Sequence, residues 1–218
     1  MTAEILYEDE YIIVAIKPRG VSSQSNMGFE EDMVSILKKH IGGGYIGVIH
    51  RLDKPVYGLM VYGKNKIATA LLSEELRNRE IEKAYEALVE GIPHEKEGCF
   101  KDFIVQEKNG KNSISRCCDK STQGAKEAVL NYKSISSEDN NGIFISRLRI
   151  KLLTGRHHQI RLQCAAHGLP LLGDYKYNKR LPERECVYDK VLALAAVELK
   201  FIHPVNKIKM EYKINADF

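Results

Sequence analysis

Two Asn-Gly dipeptides, Asn109-Gly110 and Asn141-Gly142, each stand between runs of strand-forming residues: Phe100 to Val105 with Ser113 to Cys117, and Ala128 to Ile135 with Ile143 to Leu152. Asn-Gly supplies the positive φ of a tight hairpin turn, so each pair of runs reads as two antiparallel strands. Near the start, Ile5 to Tyr7 and Ile12 to Ile16 flank Glu8-Asp9-Glu10 and suggest another hairpin. Ile81 to Val89 alternates as a strand, and Val191 to Phe201 is a late apolar strand followed by Pro204-Val205-Asn206-Lys207 and a short last one. Helices are fewer. Met33, Ile36, Leu37 and Ile41 recur at helical spacing and stop at Gly42-Gly43-Gly44, while Ile67, Leu71, Glu75 and Leu76 mark a second helix opened by Asn65. A third is expected from about Arg156 to His167, ending at Gly168. The chain is mixed α and β, with strands in the majority.

The run His50-Arg51-Leu52-Asp53-Lys54-Pro55 lies between two apolar strand-like runs, Tyr45 to Ile49 and Leu59 to Tyr62, with Pro55 and Gly58 breaking the ladder. A carboxylate and a guanidinium thus sit on a loop held by rigid neighbours, where side chains can reach a substrate. Taken alone, Asp53 could as well cap the turn, with His50 and Arg51 as ordinary strand-end polar residues.

Two further stretches bear on that choice: Glu82-Lys83-Ala84-Tyr85-Glu86 and Leu153-Thr154-Gly155-Arg156-His157-His158-Gln159-Ile160-Arg161. Together with His50-Arg51-Leu52-Asp53, and in the same order, they resemble the RluA-type family of pseudouridine synthases. The likeness runs from Ile5 to Asp9 and Lys17-Pro18-Arg19-Gly20, through Gly168 to Asp174, to Phe201-Ile202-His203-Pro204. It implies an α+β fold, a mainly antiparallel mixed sheet with flanking helices and loops and a central cleft. It also implies an RNA pseudouridine synthase acting on ribosomal or transfer RNA, with Asp53 as the nucleophilic aspartate, Tyr85 as a ring against the target base and Arg161 as the arginine that pairs with Asp53. Arg51 resembles the residue that fills the gap left by an extruded nucleotide. His50, Lys83 and Arg156 are further substrate-binding candidates; His50 reads equally as a satisfied strand-end histidine, and the role of Lys83 stays open. The chain departs from the family pattern at Ile16, Ala195 and Val56-Tyr57. Tyr57 stands where a serine is usual, so divergence is expected at the pocket entrance.

The implied chemistry breaks the N1–C1′ bond of a uridine, turns the uracil and joins C5 to C1′. A carboxylate can capture C1′ or remove a proton from C2′, and either route needs one ionised aspartate. A partly buried carboxylate tends to take up a proton unless a cation offsets its desolvation, and an arginine can hold it through two parallel hydrogen bonds. The Tyr85 ring could stack on uracil and its hydroxyl could assist proton removal at C5. A base stacked within RNA must first be extruded.

At 218 residues the chain is long enough for one large domain, and the resemblance implies a single catalytic domain over 1–218 without an appended N-terminal RNA-binding domain of the S4 type. A net charge of +4 permits a polyanionic partner without demanding one. Basic residues cluster at Lys17 and Arg19, Arg51 and Lys54, Lys64 and Lys66, Arg77 and Arg79, Arg156 and Arg161, and Lys176, Lys179 and Arg180, where phosphates could be met. The five cysteines contain no C-x-x-C pair and fit a reducing cytosol, and no run approaches the roughly 20 apolar residues of a membrane span. The expected partner is RNA, met by a monomer with no metal and no nucleotide cofactor. A rival reading makes the chain a metal-dependent hydrolase using His50, Asp53, His157, His158 and His167. It is weakened by the adjacency of His157 and His158, which would point to different faces of a helix. A third keeps RNA binding without catalysis; the intact set Asp53, Tyr85 and Arg161 speaks against it.

Overall fold

The structure, a computed structural model, describes residues 3–25, 30–109, 112–140, 142–179, 191–216 and 218. The chain divides into two compact units, one of residues 1–83 and 195–217 and one of residues 84–194 and 218. Both are sheets with few helices, an α+β architecture. Among the described residues no helix is long and apolar enough to cross a membrane.

In the first unit the expected N-terminal hairpin forms from β1 (Glu4–Glu8) and β2 (Ile12–Lys17), which pair antiparallel. Following α1 (Met33–His40) and the short β3 (Gly47–Val48), β4 (Tyr57–Gly63) pairs antiparallel with β2, from Ile12 opposite Gly63 to Lys17 opposite Gly58. After α2 (Lys66–Arg77) the chain leaves through β5 (Glu82–Glu90). It returns as β10 (Leu194–Ile202), parallel to β4 at Ala195–Tyr57 and Ala196–Gly58, and ends with β11 (Lys209–Lys213) antiparallel to β10. One core gathers Ile12, Val14 and Ile16 of β2, Leu59 and Val61 of β4, Ala68 and Leu72 of α2, and Leu199 and Phe201 of β10. Each fully buried leucine there is worth roughly 2 kcal/mol of apolar transfer.

The first two helices start where sequence places them, but one is rotated. Asp32 caps α1, accepting from the Ser35 amide at 2.7 Å, and Asn65 caps α2, accepting from the Ala68 amide at 2.8 Å. The periodicity marks α2 by Ile67, Leu71, Glu75 and Leu76, yet its buried stripe is Ala68, Leu72 and Glu75, and Ile67 is 73% exposed. The cause is a close approach. Thr69 lies over Gly47 and Gly63, where a Cβ on either glycine would come within 2.1 Å of its hydroxyl oxygen. The expected strand Tyr45 to Ile49 shrinks to β3, because the chain beyond Val48 leaves the ladder toward Asp53.

The second unit is an antiparallel sheet in the order β5, β9 (Ile143–Leu152), β8 (Lys126–Asn140), β6 (Glu97–Asn109), β7 (Asn112–Cys118). Both expected hairpins are present, and their strands run longer than the apolar runs suggest; residues 110, 111 and 141 of the two turns lie outside the described residues. The third helix, α3 (Gln159–Ala166), begins three residues later than expected because His158 takes a left-handed conformation at φ 54°. Six consecutive residues of α3, Gln159 to Cys164, are buried. Its polar members are tied to the sheet: Gln163 donates to the carbonyls of Phe100 at 3.2 Å and Ala128 at 3.1 Å, and Gln159 to that of Val129 at 3.1 Å. These bonds fix the helix that carries Arg161.

Candidate active site

Asp53 is half-buried on a turn clamped from several sides. Its own carbonyl accepts from the Val56 amide at 2.9 Å. On one flank the Ser23 hydroxyl accepts from the Leu52 amide at 3.0 Å and donates to the Leu52 carbonyl at 2.9 Å. On the other, the Lys54 carbonyl accepts from the Gly20 amide at 2.9 Å and from the Lys17 ammonium at 3.1 Å.

Lys17 is the residue that sequence reasoning misplaced. Its sequence neighbourhood suggests a loop cation able to meet phosphate, but it is fully buried, and its three N–H donors go to the carbonyls of Val21 at 2.7 Å, Pro18 at 2.9 Å and Lys54. Burial pushes its pKa down to about 8, with the charge of Asp53 pulling it up and that of Arg19 pressing it down. An inward cation thus lies under the Asp53 turn. Nothing in composition marks it; the one signal is its place in the Lys17-Pro18-Arg19-Gly20 run.

Arg51 is exposed beside this turn. His50 faces inward: it is 5% exposed, its Nε2 accepts from the Val61 amide at 3.4 Å, and its Nδ1 is buried without a hydrogen-bond partner among the described residues. Burial, helped by the charge of Lys83, holds its pKa well below the usual histidine range, so the ring is neutral near pH 7. Burial likewise lowers Lys83 to about 8.

Tyr85, Arg156 and Arg161 belong to the second unit. Tyr85 is 5% exposed and stands opposite Ile150 of β9, so its ring is seated in a strand and not displayed on a loop. Arg161 is buried on α3. The sequence expectation pairs it with Asp53; within its own unit the guanidinium is held by Asp174, Nε donating to Oδ2 at 2.8 Å and Nη2 to Oδ1 at 2.7 Å. The Asp174 carboxylate is itself fixed by the amides of Lys176 at 3.0 Å and Tyr177 at 3.3 Å. In the sequence Asp174 stands out only as the end of the Gly168 to Asp174 run, with no role assigned to it. Arg156 is half-buried, its Nε donating to the Glu127 carbonyl at 2.8 Å.

The histidines differ from the expectation of two helix faces. His157 and His158 precede α3 and stack on one another, ring centroids 3.7 Å apart. His157 shares a hydrogen bond with Ser115 at 2.8 Å and His158 with Tyr177 at 2.9 Å. Burial, with the nearby charges of Arg161, His157 and Lys176, takes His158 down to about 3. His167 stacks on Phe100 and bonds Asp102 at 3.1 Å. Among the described residues no group of three or more His, Cys, Asp or Glu side chains is placed to hold a metal ion.

The family model described as RNA pseudouridylate synthase matches residues 11–166. The chain is 31% identical over 222 residues to ribosomal large subunit pseudouridine synthase C of Rickettsia bellii, covering 100% of this chain and 70% of that protein. It is 33% identical over 222 residues to ribosomal large subunit pseudouridine synthase D of Haemophilus influenzae, covering 95% of this chain and 65% of that protein. Among solved structures it is similar to human RNA pseudouridylate synthase domain containing 1, with a TM-score of 0.80 at 23% identity over 98% of this chain and 83% of the other. Human RNA pseudouridylate synthase domain containing 4 gives 0.77 at 22% identity, over 98% of this chain and 88% of the other.

Proposed function

The chain belongs to the RNA pseudouridylate synthase family and is an RNA pseudouridine synthase, and from this premise we propose that it modifies large-subunit ribosomal RNA with Asp53 as the attacking carboxylate. The observation that carries the assignment is the Asp53 turn, anchored through Ser23, Gly20 and Val56 above a buried ammonium. A carboxylate in that setting is aimed before substrate arrives, which lowers the entropy the reaction must lose.

In the proposed reaction the N1–C1′ bond breaks with its electron pair going to uracil N1. Asp53 either bonds C1′ or takes the C2′ proton, the uracil turns, and C5 joins C1′ as the Asp53–C1′ bond breaks or the proton returns to C2′, which frees the carboxylate. The C5 proton leaves and N1 is protonated, so no atom is gained or lost overall. Arg161, oriented by Asp174, acts with Asp53, and the Tyr85 ring holds the base. Exposed Arg51 takes the space of the extruded nucleotide and Arg156 meets phosphate. His50 is assigned to the scaffold behind Arg51, and Lys83 to the substrate side. The enzyme works as a monomer in the cytosol, a compartment that the free thiols Cys99, Cys117, Cys118 and Cys164 suit.

Large-subunit ribosomal RNA transcripts labelled with tritium at uracil C5 test the assignment. The chain is expected to release tritiated water and Asp53→Asn none; full activity in that variant removes Asp53 from the mechanism. Mapping pseudouridines in cells with and without the gene tests the target, and a loss confined to transfer RNA would replace the ribosomal assignment.

A further inference from the structure

Arg19 and Tyr57 meet beside the Asp53 turn. The guanidinium carbon of Arg19 lies 5.0 Å from the centroid of the Tyr57 ring. Each residue is one peptide away from a bond that closes the turn: the Gly20 amide donates to the Lys54 carbonyl at 2.9 Å, and the Val56 amide to the Asp53 carbonyl at 2.9 Å. Both side chains are half-buried. Tyr57 opens β4 and packs against the core that holds Ile16 and Leu59, so its ring is fixed from behind. Arg19 and Asp53 also act in opposite senses on the same buried ammonium of Lys17, which places both charges around one point.

A guanidinium over an aromatic ring gives its face to the ring; the Arg19 Nε is buried, so the terminal nitrogens are the donors that phosphate oxygens or a base edge would meet. Flat π surfaces are also what an unstacked base seeks. Resting on the proposed role of Asp53, we propose that Arg19 and Tyr57 form a subsite for the nucleotide next to the target uridine, its base against the stacked pair and its phosphate on the guanidinium. The pair then selects the single-stranded sequence context in which a uridine is modified. An unstacked neighbour is what extrusion of the target leaves behind, and the subsite holds it while Asp53 reacts.

The test uses the full chain and an in vitro transcript of large-subunit ribosomal RNA, with affinity measured by filter binding and turnover by tritium release. Arg19→Met and Tyr57→Ser are each expected to raise Kd and KM about tenfold, with kcat falling less than threefold. The double variant should be no more than about twofold worse than the weaker single, because both disrupt one contact. Arg19→Met should also lower the slope of log affinity against log salt by about 1. Tyr57→Phe keeps the ring and should retain more than a third of the affinity, whereas Arg19→Lys keeps charge without the plane and should fall between wild type and Arg19→Met. Unchanged Kd, KM and modification sites in the singles would overturn the subsite, as would a Tyr57→Phe protein of unchanged melting temperature that binds as poorly as Tyr57→Ser. Full turnover in Asp53→Asn overturns the role of Asp53 instead, and the binding measurements separate the two failures.

Discussion

Arg161 and Asp174 face each other across two parallel hydrogen bonds, 2.8 Å and 2.7 Å long, with both side chains out of solvent. A pair of this kind is weak evidence of net stability, since each ion gives up its hydration, but removing one partner strands the other. What the arrangement secures is direction: a planar fork locked by a carboxylate that two backbone amides hold in turn.

Asp174→Ala leaves a buried guanidinium without its carboxylate and is expected to lower the unfolding free energy by about 3–5 kcal/mol. The double variant Arg161→Met with Asp174→Leu should recover a good part of that loss. Urea denaturation of the three proteins checks this; equal losses in Asp174→Ala and the double variant would show that the charge is not what the fold must neutralise.

Lys17 gives a pH signature. It loses its proton near pH 8 when folded and near 10.5 when free, so between these values the unfolded chain binds the extra proton and rising pH favours the folded state. The window is worth on the order of 3 kcal/mol. Lys17→Met takes the ammonium donor from the Val21 and Pro18 carbonyls and leaves that of Lys54 with the Gly20 amide, and should be about 2 kcal/mol less stable at pH 7. The gap between wild type and variant should widen toward pH 10. A gap that stays constant from pH 7 to 10, measured by urea melts, would mean that Lys17 titrates as an ordinary lysine.

Tyr85 separates ring from hydroxyl. Since its ring is seated in β5, Tyr85→Phe should fold normally and keep tritium release within about tenfold of wild type, while Tyr85→Leu removes the stacking surface and should lose at least about a hundredfold. Complete loss in Tyr85→Phe, with RNA binding intact, would move the hydroxyl into the proton step at C5.

Gly58 is required by geometry. At φ 136° it is in a region side chains avoid, and an added Cβ would meet the Ala196 carbonyl oxygen at 2.3 Å. Gly58→Ala is expected to cost about 3 kcal/mol or more by forcing β4 from β10. A thermal melt within about 2 °C of wild type would show that the strands can part cheaply.

Local signals were legible in sequence wherever the chain decides its own course over a few residues. The hairpins around Asn109-Gly110 and Asn141-Gly142, the Asn65 cap and the turn after Leu52 all follow from turn chemistry and alternation. The rotation of α2 was not legible, because it depends on Thr69 meeting Gly47 and Gly63 of other segments. Nor was the late start of α3, since nothing in Arg156-His157-His158 announces a left-handed histidine. The inward course of His50 and the burial of Tyr85 are likewise set by neighbours far along the chain.

The order of residues alone determined which groups are available, a carboxylate on a Pro- and Gly-bounded turn, a tyrosine in an alternating strand and an arginine near a helix start, and with them the family. Only the folded chain decided which charges are removed from water and what they then grip: Lys17 by three carbonyls under Asp53, Arg161 by Asp174. Desolvation and hydrogen-bond geometry act between segments distant in sequence, so no local pattern carries them.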